Sequence, residues 1–215
     1  MDLLPSAYTL HEINGPADRW LPDWLCLYEL SFPAEERFLV GQLLALLRDP
    51  AALQAHHFLA LTGPGPAAPA GSAEQTLVGL AAWQSLPRLS VAHLWYLAIQ
   101  PGLRSRGIGG AFYRAIAHRV LAGHHLMALE VEMPALGADE AARHLRQRRI
   151  QFYHRLGARR LDGIHYLQTV GAHVAPVEMH ILFHGQAALT AAEAFAAARG
   201  LFGDQVTQVG ELRLV

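Results

Sequence analysis

Between residues 94 and 120 the spacing of apolar residues changes abruptly, and this change dictates a strand, a turn and a helix in succession. Leu94-Trp95-Tyr96-Leu97-Ala98-Ile99 is a continuous aromatic and branched run, the pattern of a buried strand. Pro101 has no amide to donate and ends it. Beyond it, Ile108, Ala111, Phe112, Ala115, Ile116 and Val120 recur three or four apart, so one face of a helix is apolar while Arg114 and His118 point elsewhere. The linking residues are Arg104-Ser105-Arg106-Gly107-Ile108-Gly109-Gly110-Ala111. A helix that starts there has unpaired amides and partial positive charge at its first turn, where anions bind. Gly107, Gly109 and Gly110 carry no side chain to hold a pyrophosphate away, and Arg104 and Arg106 add full charge. The segment therefore predicts a site for a phosphate ester, with a plain tight turn as the alternative.

Two common phosphate loops are excluded by the letters. A dinucleotide fingerprint counted from Gly107 and Gly109 meets Phe112 where Gly or Ala is needed. A nucleotide-triphosphate loop ends in Lys, and all 17 basic residues of this chain are Arg. A second informative stretch follows. Leu126-Met127-Ala128-Leu129-Glu130-Val131-Glu132 reads as another apolar strand, and Arg149-Ile150-Gln151-Phe152-Tyr153-His154-Arg155-Leu156-Gly157-Ala158 reads as a helix end.

Arg104-x-x-Gly107-x-Gly109 in the order strand, turn, helix resembles the acetyl-CoA loop of the GNAT superfamily of acyl-CoA N-acyltransferases. Leu129-Glu130-Val131, with Tyr153 four residues before Gly157, is similar to the same superfamily's next strand and helix. Together these motifs span 94–158. Arg148-Arg149-Ile150-Gln151-Phe152-Tyr153 and Tyr28-x-x-Ser31-Phe32-Pro33-x-Glu35-Glu36-Arg37 resemble a less characterised GNAT subgroup.

The resemblance implies an α/β (α+β) fold, with a mixed central sheet of six to seven strands flanked by helices and a CoA-binding splay between the Leu94 and Glu130 strands. It implies that strand amides near Leu97, Ala98 and Ile99 hold the pantetheine arm, with the thioester carbonyl near Ala98. The amides from Arg104 to Ala111 would take the pyrophosphate. Glu130 matches the Glu that acts as base in ribosomal-protein alanine acetyltransferases, and Tyr153 matches the Tyr that donates a proton to the departing thiolate. Acetyl transfer to a primary amine would then be direct, in a ternary complex, with a homodimer as the expected assembly. A non-catalytic acyl-CoA sensor is the alternative from another class. One departure stands out: residues 134–148 are an insertion of about ten residues relative to many members, and the usual Asn is absent.

The chemistry can be read beside the resemblance. An amine with a pKa of about 10 is protonated at neutral pH, so a carboxylate, directly or through water, must help remove its proton. Glu130 has its neighbours Leu129 and Val131 on the opposite strand face, and Glu132 shares its own. Two carboxylates so placed repel, which raises one apparent pKa and favours a cationic acceptor. A pairing of either with an Arg from 143–160 is the structural alternative. Tyr153 is otherwise a rim tyrosine packed in the core. Glu35 and Glu36 are candidate contacts for a cationic acceptor, or first-turn residues complementing a helix dipole. His93, beside the CoA strand, is a further acceptor-site candidate.

Residues 143–160 hold seven arginines and no acid, read here as a solvated helix face rather than a nucleic-acid surface, and the formal charge of -1 argues the same way. The 13 histidines do not form metal-ligand spacings, so no metal is expected. No apolar run approaches the roughly 20 residues of a membrane span, and no leader is evident, so a cytoplasmic protein is expected. Cys26, among apolar neighbours, is expected to be buried.

The 215 residues suit one domain, with a core over 6–184 and an extension over 185–215. Strands are expected at 7–13, 58–62, 77–83, from 94, at 126–132, 161–169 and 177–183. Helices are expected at 18–31, 35–48, after 107, through 156 and at 191–199. The segment 63–73 reads as a breaker-rich loop, 171–176 as a connection, and 210–215 as an edge strand or a segment docked on a second subunit.

Overall fold

A computed structural model describes residues 3–66, 75–169, 176–185 and 188–215, except the side chain of Glu35. Of the expected loop at 63–73, residues 67–73 lie outside the described residues, as do 171–175 of the expected connection at 171–176, while Gly63 is the last residue of a strand. Two compact units are present, one of residues 1–85 and 94–118, the other of 86–93 and 119–215.

The first unit holds β1 (Thr9–Glu12), α1 (Leu21–Ser31), α2 (Val40–Arg48), β2 (His56–Gly63) and β3 (Thr76–Leu86). It also holds most of β4 (Val91–Ile99) and of α3 (Ile108–Leu121). β1, β2 and β3 pair antiparallel in sequence, and β4 stands next in the strand order. In α1, Leu21, Trp24, Leu27 and Tyr28 fall on one helical stripe, and all four are buried. That stripe, with Leu43 and Leu47 of α2, packs on Phe58, Ala60, Leu80, Ala82 and Tyr96. The Trp24 ring donates its Nε1 hydrogen to the Leu59 carbonyl at 2.9 Å, so the buried indole leaves no polar atom unsatisfied.

Cys26 is exposed, contrary to expectation. It lies two residues from Trp24, about 200° round the helix, and so faces away from the buried stripe. The helix expected over 35–48 is also shorter. A three-residue 3-10 turn, Ala34–Glu36, is followed by extended backbone, and α2 begins only at Val40. The cause is the backbone of Phe38, whose amide donates to the Tyr96 hydroxyl and whose carbonyl accepts from the Tyr28 hydroxyl, both at 3.0 Å. Neither group is left for a helix.

The second unit holds β5 (Leu126–Glu132), α4 (Glu140–Arg155), β6 (Arg159–Gln168), β7 (Val177–Gly185), α5 (Ala191–Phe202) and β8 (Val206–Leu214). Its strand order is β5-β7-β6-β8, each pair antiparallel. Helix α5 starts with a capping box between Thr190 and Glu193, and its Ala194, Ala197 and Ala198 close over Leu126, Ala128, Ile181 and Phe183.

The described residues thus form a mixed α/β fold of eight strands, one or two more than the resemblance implied. The addition is β8, which pairs with β6 within this chain.

Candidate active site

In the first unit, β4 ends where Gln100 donates its amide to the Val78 carbonyl and its side-chain nitrogen to the Leu77 carbonyl. These bonds pin the strand end carrying Ala98 and Ile99, both buried, and Leu97, partly buried. A 3-10 turn, Pro101–Leu103, follows. Arg104 then folds back and donates its Nε hydrogen to the Ile99 carbonyl at 3.0 Å, fastening the loop to the strand.

Two residues of the loop take left-handed backbone, Ser105 at φ +63° and Gly107 at φ +81°. For Ser105 this conformation is costly, and such strain is kept where the surroundings or a function demand it. α3 starts at Ile108, and its first internal bond runs from the Ala111 amide to the Gly107 carbonyl. The amides of Ile108, Gly109 and Gly110 therefore precede the helical ladder. A Cβ on Gly107 would meet no atom within 4 Å, so the space beside this residue is open. Arg106 is exposed beside it.

The second unit holds Glu130. Its side chain is 8% exposed and both carboxylate oxygens are engaged. Oε2 lies 2.6 Å from Nε2 of His93, while Oε1 accepts from the Tyr166 hydroxyl at 2.5 Å and from Nε2 of Gln168 at 3.2 Å. Burial alone would raise the carboxyl's pKa. The charge His93 carries when protonated, together with the three hydrogen bonds, outweighs burial and holds it below the ordinary glutamate value. The Tyr166 hydroxyl is pushed upward by its own burial and by the adjacent carboxylate. Phe202, at the end of α5, closes the cluster: its ring stands edge-on to His93 at 5.1 Å and tilted against Tyr166 at 4.6 Å.

Glu132 has separate partners. Oε1 is 2.6 Å from Arg146 and Oε2 is 2.5 Å from Arg149, both from α4. The arginine pairing weighed for either carboxylate thus falls to Glu132 alone. The expected upward shift from mutual repulsion is not found at Glu130, because each carboxylate has its own donors. The insertion at 134–148 becomes a 3-10 turn, Pro134–Leu136, and the first turns of α4, where the Asp139 side chain caps the helix by accepting from the Ala142 amide. Arg143 and Arg146 reach back to the carbonyls of Gly137 and Met133, so part of the basic run is used internally.

Tyr153 sits in the last turn of α4, 9% exposed. The spacing to Gly157 has a local cause. Gly157 takes φ +96°, and the amides of Ala158 and Gly157 return to the carbonyls of Tyr153 and His154, a Schellman stop that fixes where the Tyr falls relative to the helix end. Burial pushes its hydroxyl up to about 12, with the nearby Arg149 acting in the opposite sense, so it stays protonated and able to donate.

Glu35 and Glu36 belong to the Ala34–Glu36 turn and not to the first turn of α2, so they do not complement that helix's dipole. The side chain of Glu35 lies outside the described residues. Tyr166, Gln168 and Phe202 were not singled out by sequence. The only signal for them is indirect: a Glu within an apolar strand needs donors from elsewhere.

The sequence model of the acetyltransferase (GNAT) family matches residues 24–158. Among curated protein sequences none matches the chain. Solved structures with a similar fold include a protein assigned as a GNAT-family acetyltransferase from Bacteroides thetaiotaomicron, with TM-score 0.66 and 21% identity, covering 91% of this chain and 98% of that one. Spermidine N-acetyltransferase from Vibrio cholerae, in complex with CoA and spermine, has TM-score 0.57 and 13% identity over 85% of this chain and 97% of its own. The ribosomal-protein-S18-alanine N-acetyltransferase from Escherichia coli has TM-score 0.52 and 15% identity, with 85% and 98% covered. At these identities the likeness is one of fold.

Proposed function

This chain belongs to the GNAT acetyltransferase family and is an acyltransferase, and on that premise we propose that it transfers an acetyl group from acetyl-CoA to a primary amine, directly, in a ternary complex. The observation that carries this reading is the loop after β4, where left-handed backbone at Ser105 and Gly107, with open space beside Gly107, leads into the amides that precede the α3 ladder. Those residues fit CoA. The amides of Ile108, Gly109 and Gly110 would receive its pyrophosphate beside Arg106, with Arg104 and Ser105 fixing the loop and Ala111, whose amide already bonds the Gly107 carbonyl, closing the first turn, and the β4 end at Leu97, Ala98 and Ile99 would receive the pantetheine arm. Acetyl-CoA, when bound, supplies the thioester carbonyl that an amine attacks.

The remaining chemistry falls to the second unit's side chains. Glu130 and His93 form a hydrogen-bonded pair and together take up the proton that the attacking amine loses, the pair rather than either member being the base. Tyr153 donates its hydroxyl proton to the leaving thiolate, a role its protonated state suits. Glu132 is held by Arg146 and Arg149, which leaves a cationic acceptor little of its charge; Glu35 and Glu36, in the first unit, are kept as acceptor contacts on the family resemblance alone. The acceptor is a small molecule or a peptide amine, with polyamines first in line because a Vibrio cholerae neighbour is a spermidine acetyltransferase. We further expect a cytoplasmic homodimer that needs no metal, membrane or nucleic acid. No described helix is long and apolar enough to cross a membrane.

Calorimetry with acetyl-CoA, followed by a panel of primary amines assayed for thiol release, tests the proposal. Micromolar binding with release for at least one amine is expected. Binding without release for any amine would favour an acyl-CoA sensor, and absence of binding would reduce the loop to a turn.

A further inference from the structure

Glu132 ends β5 with only 9% of the residue exposed, and its carboxylate forks across two arginines that stand three residues apart on one face of α4. The two are used differently. Arg146 gives Nη2 to Glu132 and Nη1 to the Met133 carbonyl at 3.1 Å, so both of its terminal nitrogens tie the helix to the end of the strand. Arg149 gives Nη1 alone to Glu132, and its Nη2 and Nε hydrogens have no hydrogen-bond partner among the described residues. Two guanidinium groups share one carboxylate, so the trio keeps a net positive charge.

That charge stands beside a buried phenol. Tyr153 lies four residues beyond Arg149, on a neighbouring position of the same helix face. Helix side chains lean toward the N-terminus, so the Tyr153 ring is directed back over the turn that carries Arg149. The phenol needs such a neighbour. Burial pushes its pKa up to about 12, whereas a thiol ionises at about 8.5, so passing the hydroxyl proton to a thiolate runs uphill and leaves a phenolate in a buried setting. Arg149 is the charge that acts against that burial.

We propose that Arg149 is a positioning residue for Tyr153 in release of the thiolate: Glu132 holds its guanidinium beside the phenol, and its charge stabilises the phenolate that forms as the hydroxyl proton passes to sulfur. The inference rests on the reading of Tyr153 as the proton donor. As the carbon–sulfur bond breaks, its electron pair stays on sulfur, the Tyr153 proton joins it to give the thiol, and the phenolate regains a proton from water. The Glu130–His93 pair returns to water the proton it took from the amine, so protons and charge balance. Glu132 then has a task of its own, which is to orient a cation rather than to accept a proton.

The test is a double-mutant cycle in thiol release, with acetyl-CoA and the amine of the panel that gives the fastest release in the wild type. Arg149→Gln should lower kcat about tenfold, comparable to the loss of one charged hydrogen bond, with KM for acetyl-CoA unchanged. Arg149→Lys keeps the charge and should recover most of that loss. In a Tyr153→Phe background, Arg149→Gln should have no further effect, because no phenolate is left to stabilise. Arg146→Gln isolates the clamp: it loosens the same carboxylate and should lower the melting temperature as Arg149→Gln does, yet keep the wild-type kcat. The same loss of kcat in both backgrounds, an equal loss in Arg146→Gln, or an unchanged kcat in Arg149→Gln would overturn the inference while leaving Tyr153 as the donor. An unchanged kcat in Tyr153→Phe would overturn the Tyr153 reading, absence of release with every amine would overturn the enzyme reading, and this inference falls with either. The Arg149 side chain is 40% exposed, so its replacement leaves the core in place, and circular dichroism verifies that directly.

Discussion

Replacing Tyr166 with Phe probes the Glu130 cluster with the least disturbance of packing. Tyr166 is 2% exposed and its ring lies against Phe202 at 4.6 Å, contacts that Phe retains. What is lost is one hydroxyl, 2.5 Å from Oε1 of a buried carboxylate. Oε1 then keeps only Gln168 at 3.2 Å, while Oε2 keeps His93. A hydrogen bond to a charged group contributes about 1.5 to 3 kcal/mol. For a chain of this size each kcal/mol moves Tm by about 2 to 4 °C, so Tyr166→Phe should melt about 3 to 12 °C lower at neutral pH. The pH dependence sharpens the test. The folded-state pKa of Glu130 is depressed, so its stabilisation is present above the unfolded value of about 4.3 and is lost as pH falls through the folded value. Removing the hydroxyl lets the folded value rise, leaving less to lose. The gap between wild type and variant should therefore be full at pH 7 and close as pH drops below about 4.3. Urea unfolding at several pH values measures this, with unchanged m-values showing that the compared states are the same. Equal stability at pH 7, or a gap that persists unchanged into acid, would refute the account of Glu130 as a carboxylate held charged by its donors.

Tyr153→Phe should lower kcat by about 100-fold while leaving acetyl-CoA affinity by calorimetry unaltered. Because the hydroxyl is pushed up to about 12, the wild-type rate should show no alkaline limb from this group at ordinary assay pH. Gly107→Ala forces an L-residue to φ +81° but meets no atom within 4 Å, so it should cost about 1 kcal/mol in urea unfolding from backbone strain alone. Gly163→Ala is a harsher case: at φ +85° its Cβ would run into the Glu211 carbonyl oxygen, and a loss of at least about 3 kcal/mol is expected, with the β6–β8 amides losing hydrogen-exchange protection first.

The parts of the site legible in the sequence are those whose determinants are local. Pro101, Gly107 and the apolar spacing from Ile108 fix a strand, turn and helix within some 25 residues, and Gly157 fixes the end of the helix that carries Tyr153. The partners of Glu130 were hidden because they depend on the sheet. Tyr166 and Gln168 are 36 and 38 residues away, and they reach the carboxylate only through the pairing of β5 with β7 and of β7 with β6. The short start of α2 was hidden for a related reason, since two tyrosine hydroxyls claim the backbone of Phe38 from elsewhere in the fold. Cys26 was different. Its neighbours in sequence are apolar, but neighbours on the helix face decide burial, and Cys26 lies off the Trp24 stripe.

The Glu130 partners also bear on how far a family role can be carried to this chain. The family pattern covers 24–158, and it contains Glu130 and His93. Tyr166 and Gln168 on β6, and Phe202 on α5, lie beyond it. Yet the two β6 side chains hold one carboxylate oxygen, and Phe202 packs on both His93 and Tyr166. A glutamate with free oxygens in a partly solvated setting can store a proton by itself. Here burial favours the neutral acid, and donors from β4 and β6 reverse that preference. A carboxylate stabilised in this way is a weaker lone base but a firmer partner for an imidazole, whose ring it fixes, as an acidic residue does for a catalytic histidine. The motif thus specifies that a carboxylate stands on β5, while residues outside the family span set what that carboxylate can do with a proton.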